Sequence, residues 1–306
     1  MRAIVTGGAG FIGSNLVDQL IEDGHDVYVF DDLSSGKKEN VNESAWFERP
    51  VDISNWDHNS YNPGDIIKAE GIDTIFHLAA RARVQPSIEN PIQFNNVNVN
   101  GTLNLLKAAV DYGIKRFVFS SSSSVYGNVE TLPTFEGHPT NPLSPYGAQK
   151  LIGEIYCKVF HEVYDLKTVC LRYFNVYGER QTTEGAYCLV MGKFIQQRLN
   201  GYVMTINGDG EQRRDFTYVG DVVNANILAA TSEKVGHGEC INIGNGDNRS
   251  VNQIADMVGG NRVNVDPVLE PKETLADNRL ALGLLGWKPT ENIEKWIESY
   301  KKEIGL

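Results

Sequence analysis

Three glycines spaced three apart, Gly7, Gly10 and Gly13, separate an apolar strand pattern from an amphipathic helix pattern at the start of the chain. Arg2-Ala3-Ile4-Val5 reads as a short buried strand. Phe11 to Glu22 carries Phe11, Ile12, Leu16, Leu20 and Ile21 at helical spacing before Gly24 ends it. Strand, glycine turn and helix in that order form a unit whose backbone can approach a pyrophosphate closely, while the helix start offers free N–H groups and a partial positive charge. Gly7, Gly10, Phe11, Ile12 and Gly13 are therefore candidate residues for holding a dinucleotide. A second strand, Val27 to Phe30, ends on Asp31 and Asp32, within a few residues of the roughly 20-residue offset at which an acid meets the adenosine ribose. A carboxylate there favours NAD over NADP, whose 2′-phosphate it repels.

Strand and helix patterns go on alternating. Thr74 to Ala80 reads as a strand running into a small-residue loop, Asn98 to Tyr112 as a helix stopped by Gly113, and Arg116 to Phe119 as a strand. Tyr146 to Val163 reads as a helix and Thr168 to Arg172 as a further strand. This order predicts an α/β fold, a Rossmann-like doubly wound parallel sheet with ligands at the carboxyl ends of its strands. From Asn175 the pattern loosens into short elements, which predicts a smaller substrate lobe. The apolar run Thr217 to Ala230 returns to the large domain. The expected division is 1–174 with 217–240 for the dinucleotide, and 175–216 with 241–306 for the second ligand.

A net charge of −11 without any Lys/Arg-rich tract argues against nucleic acid or an anionic membrane as partner, and leaves phosphates to a few local cations and backbone amides. Cys157, Cys170, Cys188 and Cys240 show no metal-type spacing, and read as reduced thiols of a cytoplasmic protein. Strand chemistry from Met1 onward and the lack of any apolar run near 18 residues predict neither signal peptide nor membrane span. The histidines form no ligand cluster, so no metal is expected.

The chemistry concentrates after the strand at Phe117. Ser120 to Ser124 are five consecutive serines at a strand end, the place in such a sheet where reacting groups and cofactor meet. Ser144-Pro145 then supplies an N-cap and a first helical residue, which puts Tyr146 and Lys150 four apart on one helical face. A tyrosine with its ordinary pKa near 10 is a poor base at neutral pH. The Lys150 ammonium, the positive charge of an oxidised nicotinamide and the nearby helix N-terminus are expected to lower it. Lys150 is also placed to meet the nicotinamide ribose.

With Thr6 to Ser14, Asp31 to Ser34, His77 to Ala80, Asn98 to Thr102, Ser120 to Gly127, Tyr146 to Lys150, Leu171 to Asn175, Arg214 to Phe216 and Ala276-Asp277 in this order, the chain resembles the extended short-chain dehydrogenase/reductases. Within them it is most similar to the NAD-dependent nucleotide-sugar epimerases and dehydratases, over nearly its whole length. The resemblance implies that Asp52 and Ile53 flank the adenine, and that Leu78, Ala79, Ala80, Asn98 and Ser120 face the cofactor. It further implies that Tyr173 and Phe174 contact nicotinamide. Ser122 becomes the catalytic serine, Tyr146 the proton-transfer tyrosine and Lys150 its partner. Asn175 and Arg214 hold the diphosphate of a UDP-hexose, with Arg180 to Tyr187 as a further anchoring loop. A homodimer is implied too, through the helices Asn98 to Tyr112 and Tyr146 to Val163, with Leu103, Leu106, Val110, Ile152 and Val159 as candidate contacts.

Within that family, 4,6-dehydratases carry an Asp-Glu pair where this chain has Ser123 and Ser124. No carboxylate is present there to eliminate water, so the resemblance implies a 4-epimerase working through a transient 4-keto sugar. Thr274, smaller than tyrosine, implies room for an N-acetyl group beside the UDP-glucose series. Two departures stand out. Glu270-Pro271-Lys272-Glu273 replaces the usual Arg-Pro-Gly-acid segment, so that a second phosphate-binding arginine is either missing or reduced to Lys272. Arg81-Ala82-Arg83 replaces small polar residues, and its arginines are open to three readings: contact with the NAD pyrophosphate, contact with the C6 carboxylate of a uronic acid, or exposed cations. A nucleotide-sugar reductase or dehydratase, and a non-enzymatic NAD-sensing protein on the same scaffold, are the readings of other classes.

Overall fold

Alternating apolar runs become a single parallel sheet because each strand is covered on both faces. The computed structural model describes residues 1–55, 63–182, 189–268 and 270–306. Strands β1 (Arg2–Thr6), β2 (Asp26–Phe30), β3 (Thr74–His77), β4 (Arg116–Ser122) and β5 (Thr168–Tyr173) are joined by His237–Ile243 at one edge. The spatial order is His237–Ile243, β5, β4, β3, β1, β2, with every pair parallel. The chain reverses its direction of winding between β1 and β3. A crevice opens at such a switch point beyond the carboxyl ends of the strands.

Side chains that alternate along each strand go to two cores. Ala3, Val5, Val118, Val169 and Leu171 pack with Leu16 and Leu20 of the helix Phe11–Glu22 and with Val222 and Ala225 of the helix Val219–Thr231. Ile4, Ile75, Phe117, Phe119 and Cys170 pack on the opposite face with Leu105 and Leu106 of the helix Thr102–Asp111 and with Cys157 and Phe160 of Pro145–Tyr164. A third core, including Tyr177, Phe194, Ile206, Ile254 and Trp296, builds the smaller lobe from the helices Val190–Leu199, Val251–Val258 and Ile293–Glu303.

Several sequence-based boundaries shift. The helix expected from Asn98 begins with a wider π turn, Asn96–Gly101, before Thr102–Asp111. A division at residue 241 cuts the strand His237–Ile243, which pairs with β5 along its length. The helix Arg279–Leu285 and Trp287 also belong to the large-domain core. Leu106 is fully buried inside the chain and offers no surface to a second copy. On the same face, Ile155, Val159 and Val163 of Pro145–Tyr164 are exposed.

Among the described residues no helix is long and apolar enough to cross a membrane, and no group of three or more His, Cys, Asp or Glu could hold a metal ion. Cys157, Cys170 and Cys240 are free thiols.

One buried ionic cluster sits below the serine run. Arg172 makes a two-pronged contact with Glu154 (Nε–Oε1 2.8 Å, Nη2–Oε2 2.7 Å), Ser121 donates to the same carboxylate (2.5 Å), and Arg172 donates to the Tyr126 hydroxyl (2.7 Å). Removing one partner of such a pair leaves an uncompensated buried charge. Glu154→Ala is therefore expected to destabilise the protein by about 3–5 kcal/mol, read as a lower urea midpoint.

Candidate active site

The crevice is a cavity of about 690 Å³ that runs from the glycine turn, across the ends of β3 and β4, to Arg214 and Thr274 in the smaller lobe. Its size is that of a cofactor or substrate cleft. The glycine turn forms one end. Gly7 lies at φ +72°, and a Cβ there would stand 2.8 Å from the Ala79 nitrogen. A Cβ on Gly13 would run into the Gly7 carbonyl oxygen. Gly10 caps the helix Phe11–Glu22 with no side-chain hydrogen bond, so the first helical amides keep their donors for an anion. This backbone cradle fits the pyrophosphate of a dinucleotide, and Phe11 and Ile12 line the same wall.

Asp31 holds the turn in place. Its two carboxylate oxygens accept from the Ala9 amide (3.0 Å) and the Leu33 amide (2.8 Å), and burial pushes its pKa up. Each oxygen keeps a second lone pair for a ribose hydroxyl. Asp32 accepts from the Ser34 amide (2.9 Å), and its other oxygen lies 3.7 Å from Arg81 Nη2. Asp52, Ile53, Leu78, Ala79 and Ala80 line this end as well.

At the reacting end, Ser144 caps Pro145–Tyr164 by accepting from the Gly147 amide (3.2 Å), and Tyr146 lies in the first turn. Ser122, at the end of β4, hydrogen-bonds the Tyr146 hydroxyl and accepts from the Ser124 hydroxyl (2.9 Å). Lys150 donates to the Ser120 carbonyl (2.7 Å), and burial brings its pKa down to about 8. Ser120 Oγ meets the Tyr173 hydroxyl (3.0 Å), which donates to Asn226 (2.9 Å).

The electrostatics differ from the expectation. Burial pushes the Tyr146 pKa up, while the Ser122 hydrogen bond and the charge of Arg83 pull it down. The Lys150 ammonium is turned to the Ser120 carbonyl and stands 6.0 Å from the Tyr146 ring centre.

On the substrate side, Asn175 donates to the Asp215 carbonyl (3.0 Å), and Thr274 Oγ1 accepts from the Asp215 amide (3.1 Å). Arg214 is paired with Glu270 (2.5 Å). Asp215 itself is buried and ties three amides, those of Ala276, Asn245 and Gly246; burial pushes its pKa up to about 6.

Three residues expected at the site stand elsewhere. Asn98 does not line the cleft; its amide clamps the Arg81 backbone N–H (2.8 Å) and carbonyl (2.9 Å) and donates to Gln149 (2.8 Å). Phe174 points away from its neighbour Tyr173, into a core with Val125, Tyr126 and Ala276. Arg180 pairs with Asp18 (2.5 Å) and reaches Asn15 (3.2 Å), which binds the smaller lobe to the first helix rather than to a ligand. Tyr187 lies outside the described residues. Sequence reasoning passed over Lys193, Thr205, Asn207 and Gln212, all of which line the cleft. They sit on short elements with no distinguishing pattern.

Residues 3–244 match the model of the NAD-dependent epimerase/dehydratase family. The chain belongs to that family. It is 37% identical over 323 aligned positions to a UDP-glucose 4-epimerase of Mycolicibacterium smegmatis, covering 99% of both chains. The UDP-glucose 4-epimerase of Thermotoga maritima, solved with UDP-glucose, superposes with a TM-score of 0.90 at 38% identity, over 99% of this chain and 100% of that one. A UDP-N-acetylglucosamine 4-epimerase of Methanobrevibacter ruminantium, solved with UDP-N-acetylmuramic acid, gives 0.89 at 38% identity, over 98% and 97%.

The family's cofactor fits the glycine cradle. Gly13→Ala is expected to lower the NAD retained on purification by roughly tenfold or more, since overpacking costs about 1–3 kcal/mol. The check is the nucleotide released by acid, with circular dichroism confirming the fold.

Proposed function

We propose that the protein inverts the C4 hydroxyl of a UDP-hexose, interconverting UDP-glucose with UDP-galactose and accepting the N-acetylated pair. The observation that carries this reading is the placement of Ser122, Tyr146 and Lys150 around one end of the glycine-cradle cleft, with serines rather than carboxylates at positions 123 and 124. The mycobacterial and Thermotoga relatives support the glucose series, and the Methanobrevibacter enzyme supports the N-acetylated one.

In this reading Tyr146, as phenolate, takes the proton of the C4 hydroxyl, and Ser122 hydrogen-bonds the same oxygen. Bound NAD supplies the reversible hydride acceptor at C4. Lys150 fixes the strand end through Ser120 and meets the nicotinamide ribose. The 4-keto sugar turns about its link to the diphosphate, so that the hydride would come back to the opposite face of C4, and Tyr146 returns its proton to the C4 oxygen. Such a turn needs a firm anchor and a loose sugar. Arg214 and Asn175 serve as the anchor, and Arg214 exchanges its Glu270 partner for phosphate. Thr274 keeps the sugar end wide, although its hydroxyl also positions Asp215. Asp31, through its free lone pairs, holds the adenosine ribose.

We further assign a homodimer through the exposed Ile155, Val159 and Val163, and a cytoplasmic setting consistent with three free thiols.

Purified protein incubated with UDP-glucose or UDP-N-acetylglucosamine and followed by proton NMR is expected to form the galacto-sugar; no conversion, with NAD supplied, refutes the reading. Tyr146→Phe is expected to retain NAD and lose roughly 10²- to 10⁴-fold in turnover, the range for lost acid-base catalysis. Ser122→Ala removes a hydrogen bond that lowers the Tyr146 pKa. The limb of the pH–rate profile where activity rises with pH is therefore expected to move to higher pH.

A further inference from the structure

The helix Pro145–Tyr164 ends on Asp165, whose left-handed backbone (φ +56°) turns the chain back beside its last turn. The Leu166 carbonyl is thereby brought to His161 and accepts from its Nδ1 (3.2 Å). A carbonyl only accepts, so in the neutral ring Nδ1 carries the proton and Nε2 keeps its lone pair. The edge strand His237–Ile243 starts directly against this helix: a Cβ on Gly238 would stand 2.8 Å from the Lys158 Cα. Glu239 accepts the backbone N–H groups of Gly236 (2.9 Å) and His237 (2.8 Å), which fixes the entry to the strand. His237 Nδ1 comes to lie 3.3 Å from His161 Nε2, although the two residues are 76 apart in sequence. Sequence spacing showed no ligand cluster among the histidines; the fold makes this pair.

That separation has a chemical meaning. Two imidazole nitrogens bound at about 2.0–2.1 Å to one tetrahedral ion stand about 3.3–3.4 Å apart, which is the distance found here. The rings meet edge to face, with centres 5.0 Å apart and planes at 76°, so neither ring stacks over the nitrogens of the other. The Leu166 carbonyl plays the part of the outer acceptor that fixes the tautomer of a metal-binding imidazole. The proton shared between the rings moves to the second nitrogen of the exposed His237, and both lone pairs then turn to the ion. The charged residues beside the pair in sequence, Lys158, Glu162, Asp165, Lys167 and Glu239, carry one more acid than base, which favours a cation. Among the described residues no third His, Cys, Asp or Glu completes the set, so water takes the remaining positions.

We propose that His161 and His237 form a binding site for a divalent transition-metal ion of the zinc type, which bolts the end of the helix carrying Tyr146 and Lys150 to the edge strand of the sheet. Imidazole donors suit zinc, copper and nickel rather than magnesium or calcium. Neither histidine lines the cleft, so the site is separate from the proposed chemistry and stands whether or not the protein is a 4-epimerase. Two protein ligands make it an exchangeable site. With half the ligands of a structural zinc site, its Kd is expected on the order of 1–200 µM.

The test is a calorimetric titration of the purified protein with zinc chloride at pH 7.5, in wild type, His161→Ala and His237→Ala, with circular dichroism confirming that each variant is folded. His237→Gln, at an exposed position, serves as a second variant should His237→Ala fail to fold, and His161→Gln does the same for His161→Ala. Wild type is expected to bind one ion per chain at this site, and each single variant to bind it at least tenfold more weakly, because one imidazole cannot chelate. In a thermal melt, zinc at ten times its Kd is expected to raise the midpoint of wild type by about 2 °C, to lose that effect on addition of EDTA, and to leave the variants unmoved. Three results overturn the proposal: no saturable binding by wild type up to 1 mM zinc, binding that survives in both variants and so belongs to other residues, or a loss confined to one of the two histidines.

Discussion

The backbone of the glycine turn lies directly on the backbone that follows β3, with no side chain between them. Gly7 faces the Ala79 amide at a distance a methyl group would fill, and the Ala79 and Leu78 amides are in turn held by Thr6 through its hydroxyl (3.1 Å) and its carbonyl (3.1 Å). The cleft floor is therefore made of main chain, and its width is set by hydrogen bonds rather than by side-chain packing. Asp31 extends the same lattice to β2, through Ala9. A pyrophosphate approaching this floor meets helix amides at close range, and the acids that flank it are already oriented.

Beneath the cleft, several buried polar side chains are tied to partners from other strands and helices. His77 bridges Thr6 (2.8 Å) and Thr102 (2.8 Å), and burial brings its pKa down to about 3, so it stays neutral and serves as a hydrogen-bonding strut. Arg172 and Glu154 brace β5 against the helix that carries Tyr146 and Lys150. Because Ser121 donates to that same carboxylate, β4, β5 and the helix are tied at one point. A buried ion pair is a weak source of stability but a strong constraint on geometry once formed. Its position below the serine run fixes the relative height of Ser122 and Tyr146.

What the sequence revealed and what it concealed divide along physical lines. The glycine turn, the serine strand end and the Tyr146/Lys150 pair were legible because local rules govern them: backbone clearance, strand termination and helical periodicity. Leu106 was ambiguous because helical spacing gives the same pattern for a face buried within the chain and one buried between chains. Asn98, Phe174 and Arg180 were assigned to ligands by resemblance, yet their side chains serve the Arg81 backbone, the core around Ala276 and the first helix. Those destinations depend on partners far away in sequence, as with Arg180 and Asp18. The small-lobe lining was concealed for the same reason, since Lys193 and Gln212 gain meaning only when three short elements meet.

The charges in the cleft give the two lobes different tasks. Acids gather at the adenosine end, where ribose hydroxyls need acceptors. Cations gather beyond it, at Lys150, Arg83, Lys193 and Arg214, where the diphosphate and the reacting sugar lie in the proposed function. Arg214 is held by Glu270 in the smaller lobe, so in the proposed function a diphosphate would meet an oriented guanidinium and have to displace one carboxylate. The exchange replaces one anion by another of higher charge, and it leaves Glu270 to solvent or to Gln212, which already donates to it (3.2 Å). In the proposed function, binding is thereby coupled to a rearrangement at Arg214 in the smaller lobe, while Ser122 stays at the end of β4 and Tyr146 and Lys150 on the helix braced against it. An anchor that adjusts, set against a catalytic group that does not, is the division of labour that a sugar turning over within its site requires.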